Sequence, residues 1–92
     1  MIIGTLTVRL LLRDARTLKD KRQVVQSIKE RLRQSFNVSV AEIEQQDQPR
    51  QTVLGFAMVC NETHPIKQAF GEIVNALKAH PIAEFVDSEM EV

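Results

Sequence analysis

The residues of this chain that are best suited to chemistry are concentrated in one short basic segment, Thr17-Leu18-Lys19-Asp20-Lys21-Arg22. Lys and Arg side chains bind phosphate oxygens and carboxylates, so the segment indicates an anionic partner. The start of a helix carries partial positive charge, which disfavours the cations placed here. Helix formation alone therefore does not explain them, and we expect an anion- or partner-binding site. Its predicted members are Arg9, Arg13, Lys19, Lys21 and Arg22.

Charge is also segregated along the chain. Residues 1–36 hold nine Lys or Arg and three Asp or Glu, a net charge of +6, whereas residues 37–92 have the reverse counts and a net charge of −6. Such asymmetry favours an electrostatic partner. The alternative is a solvated face, in which Lys21 or Arg22 reaches acidic residues of the second half. Likewise, Arg9 and Arg13 could pair with a neighbouring acidic strand at the end of the chain.

Catalytic and metal-binding patterns are weak. Cys60 and His64 are close in sequence, but a thiol nucleophile needs a base at hydrogen-bond distance, and Cys60 falls among predicted core positions. His64 and His80 lie at opposite ends of a predicted helix, roughly 24 Å apart, too far to share a metal. Glu42 and Glu44 fall on one side of a predicted edge strand, where charges usually prevent aggregation. We expect no catalytic residue, metal, cofactor or small-molecule substrate.

The elements that position these residues follow from hydrophobic periodicity. We predict strands over 2–13, 36–44, 53–60 and 82–90 and helices over 17–35 and 63–80. Thr17 is the expected N-cap of the first helix, with Asp20 completing a capping box. The order βαββαβ predicts one α+β domain over 1–92, a ferredoxin-like plait. Its four-stranded antiparallel sheet has the order 4-1-3-2, with both helices on one face.

The other face of this sheet is predicted to lack a helical cover. It carries Thr5, Thr7, Arg9, Leu11, Val53, Ala57 and Val59. This face is apolar enough to favour a cover, which could be a partner protein, a nucleic acid or a second copy. We expect a homodimer or weak oligomer through this face or a sheet edge. RNA stacking on the face is not expected, because the chain has four Phe and no Trp or Tyr.

Two segments at a characteristic separation resemble a known family. The chain has the basic helix start already described and the strand Phe36-Asn37-Val38-Ser39-Val40-Ala41-Glu42. In these segments, and along nearly its whole length, it resembles the bacterial YlxP-like proteins, small domains of unknown function. The resemblance implies a ferredoxin-like cytoplasmic domain, often encoded beside translation and ribosome-maturation genes, with no established activity or catalytic residues.

The sequence thus predicts a noncatalytic binding module, ribosome- or RNA-associated through the basic patch. The alternative is a homo-oligomeric protein-interaction domain that docks an acidic partner. No apolar run is long enough for a membrane span, and the first residues lack the pattern of a secretion signal. Cys60 is the only cysteine, as expected in a reducing compartment. Cytoplasmic localisation without membrane contact is therefore expected.

Overall fold

The computed structural model describes residues 1–92 and contains the six predicted elements in the predicted order. The chain is α+β, with two helices and one open, antiparallel four-stranded sheet. The elements are β1 (Ile2–Leu11), α1 (Leu18–Ser35), β2 (Ser39–Glu44), β3 (Gln51–Cys60), α2 (Thr63–Lys78) and β4 (Glu84–Glu91). Neither helix combines the length and the apolar character needed to cross a membrane.

The strand order is β2-β3-β1-β4, which is the predicted order read from the other edge. The long strands β1 and β3 lie in the centre, with Thr5 opposite Ala57 and Thr7 opposite Gly55. On its other side, β1 pairs with β4, so that Arg9 lies opposite Asp87. The acidic last strand is therefore the direct neighbour of the first basic residues.

Both helices cover the same face of the sheet. Alternate residues of the central strands point towards them, and the buried cluster contains Leu6, Val8, Leu10, Leu54, Phe56, Val25, Ile28, Phe70 and Ile73. Gly4 allows α2 to approach β1 closely, since a Cβ atom at this position would overlap the side chain of Ile66. The hydrophobic core thus fixes the position of α1 and α2 over the sheet.

The first helix begins where the sequence predicts. The backbone N–H of Asp20 donates to Thr17 Oγ1 at 3.1 Å, and Asp20 Oδ2 accepts from the N–H of Thr17, also at 3.1 Å. The two residues form the expected capping box. The N–H of Arg16 also donates to Asp20, and these backbone hydrogen bonds, that of Arg16 first, hold the pKa of the Asp20 carboxyl below its usual value.

One expectation about β2 is wrong. The strand has a register shift between Glu42 and Glu44, because two residues of β2 lie opposite one residue of β3. Glu42 is opposite Leu54, on the helix-covered face, whereas Glu44 is opposite Val53, on the open face. The two carboxylates therefore lie on opposite faces of the sheet, and only Glu42 comes close to α1.

Candidate partner-binding surfaces

The five cations predicted to form one site have three different environments. Arg9 and Arg13 pair with the last strand: Arg9 Nη1 lies 2.9 Å from Asp87 Oδ1, and Arg13 pairs with Glu84. Hydrogen bonding and charge attraction raise the pKa of both guanidinium groups, and the hydrogen bond from Arg13 lowers the pKa of Glu84. The structure thus confirms cross-strand ion pairing as the explanation for part of the charge segregation.

Lys21 lies inside the protein rather than on a basic surface. Only 1% of it is exposed, and its ammonium group lies 3.1 Å from Glu42 Oε2. Lys21 Nζ also donates to the backbone carbonyls of Gln45 at 2.7 Å, Gln46 at 3.2 Å and Gln51 at 3.3 Å. Lys21 therefore pairs with an acidic residue of the second half of the chain, as in the alternative given above, but it is buried and does not lie on a solvated face.

The side chain of Lys21 points inwards because of its position on α1. The buried residues of this helix are Lys21, Val25, Ile28 and Leu32, at spacings of four, three and four, which form one stripe. Lys21 is the first member of that stripe, at the end of the helix where the core meets the loop of residues 45–50. This helical spacing is visible in the sequence, and it could have identified Lys21 as a buried residue.

Lys21 and Glu42 belong to a polar network that fixes the β2–β3 loop. Thr52 Oγ1 donates a hydrogen bond to Glu42, and no buried side-chain nitrogen or oxygen atom lacks a partner. Gln45 has a φ of 66°, a left-handed conformation that is uncommon for residues other than glycine. Its carbonyl accepts the shortest of the Lys21 bonds. We infer that this network stabilises the loop conformation.

The remaining two predicted cations, Lys19 and Arg22, are exposed on the outer side of α1. They line an open depression together with Lys29 and with Gln23, Gln26, Ser27, Glu30, Val25 and Glu42. None of the three ion pairs in the structure involves Lys19, Arg22 or Lys29. Glu30 accepts a hydrogen bond from Gln26 at 3.0 Å. We name Lys19, Arg22 and Lys29 the α1 cation row, in which Lys29 is not one of the five cations predicted from the sequence.

The open sheet face carries the residues expected there, and it carries acids as well. Strand register places Thr5, Thr7 and Arg9 beside Ala57, Gly55 and Val53, although Val53 is buried. On the other side of β1, the same three residues pair with β4, where they lie opposite Glu91, Glu89 and Asp87. These acids alternate with a period of two in the sequence, so the strand pattern could have placed them on this face.

Cys60 and His80 form hydrogen bonds with residues close to them in the sequence. Cys60 Sγ lies 3.5 Å from Asn61 Oδ1. His80 Nδ1 accepts hydrogen bonds from the N–H groups of Ile82 at 3.2 Å and Ala83 at 3.0 Å, which closes the turn after α2. Burial, and secondarily the charge of Arg31, lower the pKa of His80. No three His, Cys, Asp or Glu residues are close enough together to hold a metal ion.

Comparison with known proteins gives a family without an assigned activity. The uncharacterized protein YlxP of Bacillus subtilis is 30% identical to this chain over 83 residues, which are 90% of each protein. A family described as a protein of unknown function, DUF503, matches residues 3–90. The match covers the basic helix start, the β2–β3 loop and the acidic last strand. On this evidence the chain belongs to the DUF503 family and is a YlxP-like domain.

Proposed function

We propose that this protein is a noncatalytic binding module that binds structured or ribosomal RNA through the α1 cation row. The observation that carries the proposal is that Lys19, Arg22 and Lys29 surround one open depression, and no acidic side chain pairs with them. An unpaired cation on a surface attracts phosphate oxygens without breaking an internal ion pair. Arg9 and Arg13 would have to leave their carboxylates first, and Lys21 is inaccessible.

The row suits contact with a phosphate backbone better than the reading of bases. Lys19 and Lys29 are roughly 15 Å apart along the helix axis, from the rise per residue. Base stacking needs exposed aromatic rings, but Phe56 and Phe70 are buried, and Phe36 and Phe85 pack against the core. We expect binding that depends strongly on salt and weakly on sequence.

The architecture is compatible with this role. The element order, the central position of β1 and β3 and the placement of both helices on one face support a ferredoxin-like plait. In this arrangement the sheet leaves one whole side of α1 open to solvent. A cytoplasmic location would give the domain access to ribosomal RNA.

Fluorescence anisotropy with a labelled RNA hairpin at several salt concentrations tests the proposal. We expect Lys19→Glu combined with Arg22→Glu to weaken binding at least tenfold. Because each phosphate contact to a duplex stem contributes about 0.9 to the slope of log K against log salt, the loss of two contacts should reduce the slope by about 1.8. The matched control is Lys67→Glu with Lys78→Glu, which changes the net charge equally on α2.

Two results would overturn the proposal: no RNA binding by the wild type at low salt, or equal loss of affinity in the control. Thermal unfolding of each variant separates a loss of binding from a loss of fold. The same cations would also suit an acidic protein surface, or an acidic strand of a second copy. In that case sedimentation would show assembly that weakens with salt and is lost with Lys19→Glu and Arg22→Glu, without RNA.

A further inference from the structure

The open sheet face, on the other side of the molecule from the helices, combines an apolar zone with an acidic row. Ile3 and Val59 lie opposite each other on β1 and β3 and are 58% and 51% exposed. Ile43 is also exposed on this face, at 46%. Next to this zone, β4 places Asp87, Glu89 and Glu91 on the same face. The face thus has exposed apolar side chains on β1, β2 and β3 next to a row of acidic side chains on β4, and Glu44 adds a further carboxylate on β2.

The acidic row is not neutralised within the molecule. Arg9 pairs with Asp87, but neither Glu89 nor Glu91 takes part in an ion pair, and neither does Glu44 on β2. Glu44 and Glu89 both act on Arg9 by charge, which places three carboxylates around one guanidinium group. The face therefore has a surplus of negative charge beside exposed apolar side chains.

Small residues give the apolar zone a concave shape. A shallow trough across β1, β3 and β2 is lined by Thr5, Thr7, Ser39, Ala41, Gly55 and Ala57. Gly55 lies at its centre, where the side chain of Ile43 covers the missing Cβ: an added Cβ would lie 2.9 Å from Ile43 Cγ2. The small residues that line the trough leave room beside Ile43 for bulky apolar side chains.

We propose that this face docks an amphipathic helix of a partner protein, with its apolar side chains in the trough and its Lys or Arg side chains beside β4. Apolar surface next to unpaired carboxylates matches a partner with apolar and basic residues side by side. The site is on the opposite side of the sheet from the α1 cation row, so it does not depend on the proposed RNA binding.

Charge argues against two other occupants. Nucleic acid would meet the carboxylates of Glu89 and Glu91 at its phosphates. If two copies packed face to face about a two-fold axis along or across the strands, β4 would lie against β2 or β4 of the other copy. Neither strand contains Lys or Arg, so the acids would remain unpaired. A partner with both apolar and basic side chains matches the apolar zone and the acidic row of this face.

The test uses three synthetic peptides and the full chain. One is a helix with leucines along one side and lysines flanking them, the second has glutamates in place of the lysines, and the third is a scrambled form of the first. We expect only the first to bind in calorimetry. In NMR titrations its shifts should map to the open-face positions of β1, β3 and β4.

Variants in the acidic row and in the apolar zone test how much each contributes to binding of the lysine peptide. Glu89→Gln with Glu91→Gln should weaken binding of the lysine peptide about three- to tenfold, because two exposed ion pairs are lost. The matched control, Glu62→Gln with Glu72→Gln, changes the charge equally at the start of α2 and within it and should leave affinity unchanged. Ile3→Ser with Val59→Ser should weaken binding at least tenfold, and both residues are exposed enough to replace without opening the core.

The proposal is overturned if the lysine peptide fails to bind, if the glutamate peptide binds equally well, or if the shifts map to α1. It is also overturned if the protein alone sediments as a dimer that Ile3→Ser and Val59→Ser dissociate, because the occupant is then a second copy. RNA binding by Glu89→Gln with Glu91→Gln should stay at the wild-type level, which keeps this test separate from that of the α1 cation row.

Discussion

Lys21 and Arg22 are adjacent in the sequence and carry the same charge, yet they face opposite environments. Lys21 is 1% exposed and its ammonium group contacts one carboxylate and three backbone carbonyls. Arg22 is exposed beside the open depression and forms no ion pair. The side chains of successive residues in an α-helix point in directions that differ by roughly 100° about the helix axis. The position relative to the buried stripe therefore decides whether a cation of this motif stabilises the fold or is available to a partner.

The largest effect on stability is predicted for replacement of Lys21, the buried one of these two cations. Lys21→Met should lower the free energy of unfolding by about 3–5 kcal/mol, because it leaves the Glu42 carboxylate without its cation and three backbone carbonyls without the Lys21 donor. The Glu42 side chain is 17% exposed, so water can reach it and the lower end of that range is expected. Urea denaturation measures the change.

Arg22→Met is the matched control, and it should change the free energy of unfolding by about 0.5 kcal/mol or less. Combining Lys21→Met with Glu42→Gln should recover part of the lost stability, since the second change removes the unpaired charge. If Lys21→Met were as mild as Arg22→Met, burial would not distinguish the two cations in their effect on stability, and the loop would not depend on the network.

The contrast between Lys21 and Arg22 also shows which features of the structure can be predicted from the sequence. Thr17 and Asp20 act within one turn, so the capping box was predictable and is confirmed. The order of the strands follows from connections with a fixed hand, and it is confirmed as well. The charge of Lys21 predicts a surface residue, whereas its spacing to Val25 and Ile28 predicts the buried position that it has. In contrast, the shift between Glu42 and Glu44 is next to Gln45, whose carbonyl accepts a hydrogen bond from Lys21 on α1, and local sequence patterns do not reveal such a long-range contact.

A smaller effect is predicted on the side of α1 that faces α2, where Arg31 lies near His80. Neutral His80 accepts two backbone hydrogen bonds at Nδ1, which a protonated ring cannot do. Its pKa is lowered in the folded protein, so the unfolded chain takes up the proton first as the pH falls. Stability should therefore decrease from about pH 6.5, the usual histidine value, down to the lowered folded pKa, and then level off.

Thermal or urea unfolding of the wild type and His80→Ala across this range measures the effect. The difference in stability between the two proteins should be largest above pH 6.5 and shrink on acidification. Asp20 and Glu84 also have lowered pKa values, from usual values of 3.8 and 4.5, so their contributions are lost only at lower pH. A difference that stays constant with pH would contradict the role of the neutral ring.

The smallest effect is expected at Arg9 and Asp87, which form an ion pair as Lys21 and Glu42 do, but in solvent. Their side chains are 47% and 54% exposed, so water and salt screen the attraction. In a double-mutant cycle with Arg9→Ala and Asp87→Ala, the coupling should be near the limit of measurement in low salt and absent in 1 M salt. A coupling that survived high salt would mean that the pair is more enclosed than its exposure indicates. If the coupling is weak, Arg9 and Asp87 separate easily. The net charge of the open face is the same whether or not the pair is formed, so the face remains acidic in both cases.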